Sequence, residues 1–447
     1  MIKHIWSNFA DKFSGKTSKI MFKVFLINST ITFTTLFSNI VINWLYGKEA
    51  LGIYSYFFAL TFLTSIFAQF GMQNSIPKLI VKKIDPSQLF KQAVIVIIIA
   101  AVMFSLSSLF ITDYLGMNPN MPYFWLQVLV QITLLTIFSV YSNALRGFKL
   151  FISSSMFSFY TRMLFIIAIP LIYLFSDNFQ FVFVALSFSL FIMLPFIFKG
   201  ISRAAKRFLE KEKVTSVSTG LFVKESSIFL LFSLSSFLLM QGDRIVISYF
   251  LTFNDVGQYT AYSTFINVIR LGAATFPLVL MPLATERKYK LYPTIKKISI
   301  ILVPIVITAV LLSYLLTPVL FGADFKLDGK DSFLPVFLGL TAFLMIIYSY
   351  FNSLLFGEQE AGGFLFALVI IDVLISSLGF WLLSMLLINQ LDLIGVPIAL
   401  YIFLKDAVGA YLVELRAQNA TSPEVQNMLD QLKQLPIVGR FFQTLGL

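Results

Sequence analysis

Long apolar runs recur along the chain, most of them close to the length that a helix needs to cross a bilayer. A transmembrane helix takes about 20 apolar residues to span a hydrocarbon core roughly 30 Å thick. Runs of this kind predict helices over 22–46, 51–76, 92–112, 123–145, 151–175, 179–199, 222–250, 256–281, 297–320, 333–356, 361–388 and 392–413. Polar residues collect in short connections, in a basic stretch at 200–221, and in a tail after 413. The pattern predicts an all-α integral membrane protein of twelve transmembrane helices. A six-helix lobe at 1–199 and a second at 222–413 are joined by a linker at 200–221, with an amphipathic tail over 414–447.

Composition narrows the class. Of 447 residues, 58% are hydrophobic and 12% are charged, against about 25% charged in soluble domains. So little charge cannot cover a water-facing surface, and the apolar excess must face lipid. The chain holds no cysteine, which excludes a disulfide framework and thiolate metal sites. The N-terminal 23 residues are basic and lack the apolar core and cleavage site of a signal peptide.

Charge placement gives the topology. The net charge of +11 lies in short loops without the aromatic interleaving of a single-strand nucleic-acid surface. With the spans above, 26 of the 33 lysines and arginines fall on one side, three on the other, and four inside spans. Basic loops favour the cytoplasm, so both termini are expected there. The chain also repeats itself. Gly52-Ile53-Tyr54 recurs 205 residues later as Gly257-Gln258-Tyr259, Pro77 as Pro282, and Lys82-Lys83 as Arg287-Lys288. Asn143-Ala144-Leu145 resembles Asn352-Ser353-Leu354. An even number of helices per repeat gives both halves one orientation, as in parallel-repeat transporters.

Polar residues inside a bilayer are costly, about 2.5–3.5 kcal/mol for a central charge, and usually face the protein interior or a cavity. Asn28, Thr32, Thr35, Asn39 and Asn43 share one face of the first span. The 205-residue shift puts Asn28, Asn39 and Asn43 on Ser233, Arg244 and Ser248 of the seventh span. Two readings stand side by side: matched faces lining a shared cavity, or glue between helices. Arg162, Arg270 and Asp372 count to mid-membrane, Asp243 and Arg244 to the outer part of span seven, and Lys405 and Asp406 to the inner part of span twelve. Arg162 and Arg270 have no neighbouring acid in sequence and suit an anion, because the guanidinium fork donates two parallel hydrogen bonds to phosphate. Asp243–Arg244 and Lys405–Asp406 fit structural ion pairs equally well. Asp372 could pair with an arginine or carry a coupling proton or sodium ion. No acid–histidine cluster, Walker pattern or dinucleotide glycine pattern is present, so neither catalysis nor a resident cofactor is expected.

Short motifs give a resemblance across 20–410. Trp44-Leu45-Tyr46-Gly47-Lys48-Glu49-Ala50-Leu51-Gly52-Ile53-Tyr54, Phe70-Gly71-Met72, Gln241-Gly242-Asp243-Arg244-Ile245-Val246-Ile247, Asn254-Asp255-Val256-Gly257-Gln258-Tyr259 and Leu320-Phe321-Gly322-Ala323-Asp324-Phe325 resemble the O-antigen (Wzx-type) flippases. That family belongs to the MOP superfamily, which also holds MATE drug exporters. The resemblance implies two six-helix lobes around a V-shaped cavity, alternating access, and residence in the bacterial cytoplasmic membrane. The implied substrate is a polyprenyl-pyrophosphate-linked oligosaccharide, with polysaccharide assembly proteins as neighbours; the intramembrane arginines would neutralise its pyrophosphate. A MATE-like exporter of cations is the alternative, and a membrane polysaccharide polymerase or ligase a more distant one.

Overall fold

In hydrocarbon every backbone N–H and C=O must be paired within the chain, and a helix does this along its own length. A computed structural model describes residues 16–114, 121–267, 291–327 and 332–343. These residues form α1 (Lys16–Gln69), α2 (Met72–Val81), α3 (Pro86–Tyr114), α4 (Phe124–Gly147), α5 (Phe151–Phe175), α6 (Gln180–Lys211) and α7 (Thr219–Phe250). Then follow α8, described over 253–267, α9 (Leu291–Phe321), a 3-10 turn at Ala323–Phe325, and α10 (Leu334–Phe343). Five described helical segments are long and apolar enough to cross a membrane, and there is no strand among the described residues. Spans predicted beyond 343 lie outside the described residues.

Helix α1 runs for 54 residues, roughly 80 Å at 1.5 Å per residue. It is two arms, because Gly47 leaves helical geometry at φ 88° and ψ 177° and kinks the chain there. A side chain would resist that φ. The spans predicted at 22–46 and 51–76 meet here, but the second stops earlier. Phe70 and Gly71 take left-handed conformations, and α2 begins afresh at Met72. Gln69, Gln73, Asn74 and Ser75 surround this break and blur the inner end of the predicted span.

The lipid-facing surface is visible in α6. Val182, Leu186, Leu190, Met193 and Ile197 are buried, while Phe181, Val184, Phe188, Phe191 and Phe198 are exposed on the other side. Large apolar side chains left open at helical spacing mean lipid rather than water. Lipid tails are as apolar as leucine, so close fit and hydrogen bonds, more than apolar burial, hold such helices together. The aromatic residues supply that fit. Phe57 stacks on Phe183 with centroids 4.1 Å apart, and Phe124 meets Phe57 edge-on.

The linker differs from a plain connection. Helix α6 continues past the apolar run to Lys211, because Ile201, Ala204 and Phe208 keep an inward face at helical spacing while Arg203, Lys206 and Arg207 stay outside. Only the short segment before Thr219 is extended, and it is pinned. Thr215 exchanges backbone hydrogen bonds with the Lys83–Asp85 turn, both at 3.0 Å. The Gln88 amide donates to the Val217 carbonyl at 2.7 Å, while the Val217 N–H donates to the Gln88 side chain at 3.2 Å.

Lys83 adds an exposed ion pair to Glu212 at 2.8 Å, and that amine, by hydrogen bond and charge, holds the Glu212 carboxyl below its ordinary range. A depressed carboxyl stabilises the fold above its ordinary titration range and loses that contribution as pH falls through the lowered value. The Thr215 amide, after correction for intrinsic rate, is therefore expected to exchange hydrogen faster on acidification in the wild-type chain. Glu212→Gln should already exchange at the faster level at neutral pH. Identical pH profiles would remove the ion pair from the tether.

Candidate functional site

The halves meet where the arms of α1 face α7, α8 and the turn after α9. Gly52, at the start of the second α1 arm, and Gly257, at the start of α8, are equivalent positions of the repeat. An ideal Cβ on Gly52 would stand 1.8 Å from the Phe253 carbonyl oxygen, and one on Gly257 would stand 2.2 Å from the Lys48 carbonyl oxygen. Phe253 is Lys48 shifted by the same 205 residues. Each glycine therefore receives the backbone carbonyl equivalent to the one that the other receives, as across a two-fold axis. Only residues without side chains permit two helices to approach so closely.

Polar groups flank this crossing. The Lys48 amine donates to the Gln258 side chain at 2.7 Å and to the Asp324 carbonyl at 3.2 Å, and lies 5.1 Å from the Phe325 ring centre. The Trp44 indole N–H donates to the Leu320 carbonyl at 2.6 Å. Asn43 donates to the Phe321 carbonyl at 2.6 Å and Asn39 to the Thr264 hydroxyl at 2.9 Å. Both asparagines are buried. At the opposite end of the bundle, α2 meets α7. Gln73 and Asn74 donate to Ser233 at 3.0 and 3.4 Å, Ser75 and Ser226 hydroxyls lie 2.7 Å apart, and Lys78 pairs with Glu225 at 2.7 Å. Gly71 makes this approach possible, since its φ is 72° and a Cβ there would lie 2.1 Å from the Ser226 carbonyl oxygen.

The polar stripe of the first span thus divides. Asn39 and Asn43 bond across the halves. Thr32 and Thr35 return their hydroxyls to carbonyls of their own helix at 3.3 and 3.0 Å, and Asn28 is half-buried. In the seventh span Ser233, the partner of Asn28 in the repeat, accepts bonds from α2, while the Ser248 hydroxyl donates to the Ile245 carbonyl at 2.7 Å.

The arginines gather around a tyrosine. Arg162 stands midway along α5 with its guanidinium 5.0 Å from the Phe58 ring centre and near enough to the Tyr54 hydroxyl for its charge to act there. Arg244 is close enough for its charge to act on that same hydroxyl. Tyr54 is buried and stacks on Phe165 at 5.8 Å, so its position is fixed by packing. Arg244 is also buried; its guanidinium donates to the Gln241 side chain and to the Ser263 hydroxyl. The neighbouring Asp243 carboxylate accepts from the Arg244 backbone N–H at 2.9 Å and from the Tyr259 hydroxyl. Tyr259 is Tyr54 shifted by one repeat. One repeat position therefore faces a cation in the first half and a carboxylate in the second.

Arg162 and Arg244 thus both act by charge on Tyr54, and Asp243 packs next to Arg244. Arg270, Asp372, Lys405 and Asp406 lie outside the described residues. Tyr54, Tyr259, Gln241 and Ser263 were not singled out as site residues in the sequence. The two tyrosines carried a usable signal, the shared repeat position, but it reads first as a turn signature. Among the described residues no group of histidines and acids could hold a metal ion.

No family model matches the sequence, and no curated protein sequence matches it. Solved structures do. The chain is similar to a MATE transporter crystallised in complex with MaL6, at TM-score 0.56 and 15% identity, over 90% of this chain and 96% of that one. It is also similar to the inward-facing conformation of a multidrug resistance MATE family transporter of the MOP superfamily, at TM-score 0.57 and 20% identity, over 88% and 96% of the two chains. At these identities the likeness is one of fold. The chain is a multi-pass membrane protein whose fold is similar to that of these MATE transporters.

Proposed function

We propose that this protein is a flippase that carries a polyprenyl-pyrophosphate-linked oligosaccharide across the bacterial cytoplasmic membrane by alternating access. The observation that carries the reading is that Arg162 from one half and Arg244 from the other both lie near enough to the buried Tyr54 for their charge to act on its hydroxyl. Two guanidinium groups suit a diphosphate, because each can donate paired hydrogen bonds to its oxygens. Arg270 would add to this charge by its place in the sequence. The head group would move between the halves while the polyprenyl chain stays in lipid, and the polar contacts at the two ends of the bundle would open in turn.

A second reading keeps the transporter and changes the cargo. One fold neighbour is a multidrug resistance MATE family transporter, and the buried Asp243 carboxylate suits an organic cation or a coupling ion. Deletion of the gene separates the two. The flippase reading expects lipid-linked oligosaccharide to accumulate on the cytoplasmic face, with the wild-type gene restoring its export. Unchanged lipid-linked intermediates together with altered drug sensitivity would overturn it in favour of the exporter.

A further inference from the structure

Away from the meeting of the halves, a groove of about 600 Å³ opens at the linker end of the first half, lined by residues of α3, α4 and α6. Its wall is aromatic: the buried Tyr141 stacks on Phe90 at 5.3 Å and meets Phe198 edge-on at 4.9 Å. Its rim is polar, with Ser87, Ser202 and Lys206. The volume falls in the range of small-molecule sites.

Two observations say what covers it. The first is position. The exposed stripe of α6, Phe181, Phe188, Phe191 and Phe198, leads along the helix into the groove. An occupant therefore has an apolar part continuous with the bilayer and a head at the level where α6 turns polar. The second is charge. From Lys199 to Lys211 the helix carries five basic residues, Lys199, Arg203, Lys206, Arg207 and Lys211, against the single acid Glu210. Long basic side chains at a helix end lay their stems on apolar surface and hold their charge at the headgroup level, and basic pockets between transmembrane helices hold anionic lipid head groups.

We infer that this groove is a binding site for an anionic phospholipid of the adjoining leaflet. Its acyl chain lies against Phe198 and its phosphate lies between Lys206 and the Ser202 and Ser87 hydroxyls. Glu210, at the same rim, weakens the site and restricts it to a head group small enough to stay clear of its carboxylate. The inference rests on the fold and does not depend on the cargo.

Native mass spectrometry of the purified full chain tests it, with phosphatidylglycerol and phosphatidylcholine of matched acyl chains offered in competition. Preferential retention of phosphatidylglycerol is expected, reduced about fivefold by Lys206→Gln, the effect of one lysine at an anionic surface. Glu210→Gln should raise retention. Lys211→Gln, on the same helix but outside the groove, should leave it nearly unchanged. All three side chains are exposed, so the variants keep the fold. Equal retention of the two lipids would overturn the site. So would a loss in Lys211→Gln as large as in Lys206→Gln, because binding would then be diffuse surface attraction.

Discussion

Replacing Gly257 with leucine is expected to separate the two halves at the Gly47 end and to destabilise the protein strongly. Even the Cβ of alanine would stand 2.2 Å from the Lys48 carbonyl oxygen, which is backbone and cannot rotate aside. The helices must move apart, and the contacts beside the crossing are lost with that movement: Lys48 to Gln258, Asn43 to Phe321 and Asn39 to Thr264. Overpacking alone costs about 1–3 kcal/mol, and each buried polar group left without its partner adds about 1–3 kcal/mol. Gly52→Ala and Gly257→Ala strain one crossing. Their combined cost should therefore be less than additive, since the first substitution creates the room that the second needs. The chain has no cysteine of its own, so Lys48→Cys with Gln258→Cys forms a clean cross-linking pair. Gly257→Leu should lower its cross-linking yield and the thermal midpoint in detergent. Full stability with unchanged cross-linking would show that the helices do not cross at these glycines.

The sequence made some of this legible and concealed the rest for physical reasons. The spans predicted at 123–145 and 151–175 coincide closely with Phe124–Gly147 and Phe151–Phe175, because helices whose outer faces meet lipid are apolar over the length that crosses it. The same criterion fails where a helix leaves the membrane. It ends the sixth span near Lys199, whereas α6 continues to Lys211, since helical hydrogen bonding is indifferent to the change from apolar to basic residues. It also runs past Gly71, where the backbone turns among Gln69, Gln73, Asn74 and Ser75. Repetition identified Gly52 and Gly257 as equivalents, but not that each lies against the other's partner carbonyl, because that depends on where the axis between the halves runs. Periodicity found Asn39 and Asn43 on one face. Their acceptors, Thr264 and the Phe321 carbonyl, lie more than 200 residues away and leave no local trace. Arg162 and Arg244 were visible as charges in apolar runs, whereas the tyrosine that both approach follows only from packing.

That shared tyrosine separates the two arginines by experiment. Arg162→Ala is expected to cut transport of lipid-linked oligosaccharide at least tenfold, the effect of losing one hydrogen bond to a charged group, about 1.5–3 kcal/mol. Its thermal midpoint should stay near the wild-type value, because the side chain is only half-buried and the groups that pack around it, Phe58 and the stacked Tyr54, keep their own neighbours. Arg162→Lys retains the charge but lacks the planar fork that stacks on the ring and donates in parallel, so it should recover only part of the rate. Arg244→Ala should behave differently. It strips the Gln241 side chain and the Ser263 hydroxyl of a buried partner, and transport should fall together with stability. Tyr54→Phe removes one oxygen and keeps the stack, and it should bring part of the Arg162→Ala defect at wild-type stability, because the guanidinium then loses a group that aims it. Reconstituted vesicles report the rate and unfolding in detergent reports the fold. Wild-type transport in both Arg162→Ala and Tyr54→Phe would exclude this cluster from the path of the cargo. A loss of stability in Arg162→Ala equal to that in Arg244→Ala would reduce both arginines to braces between helices.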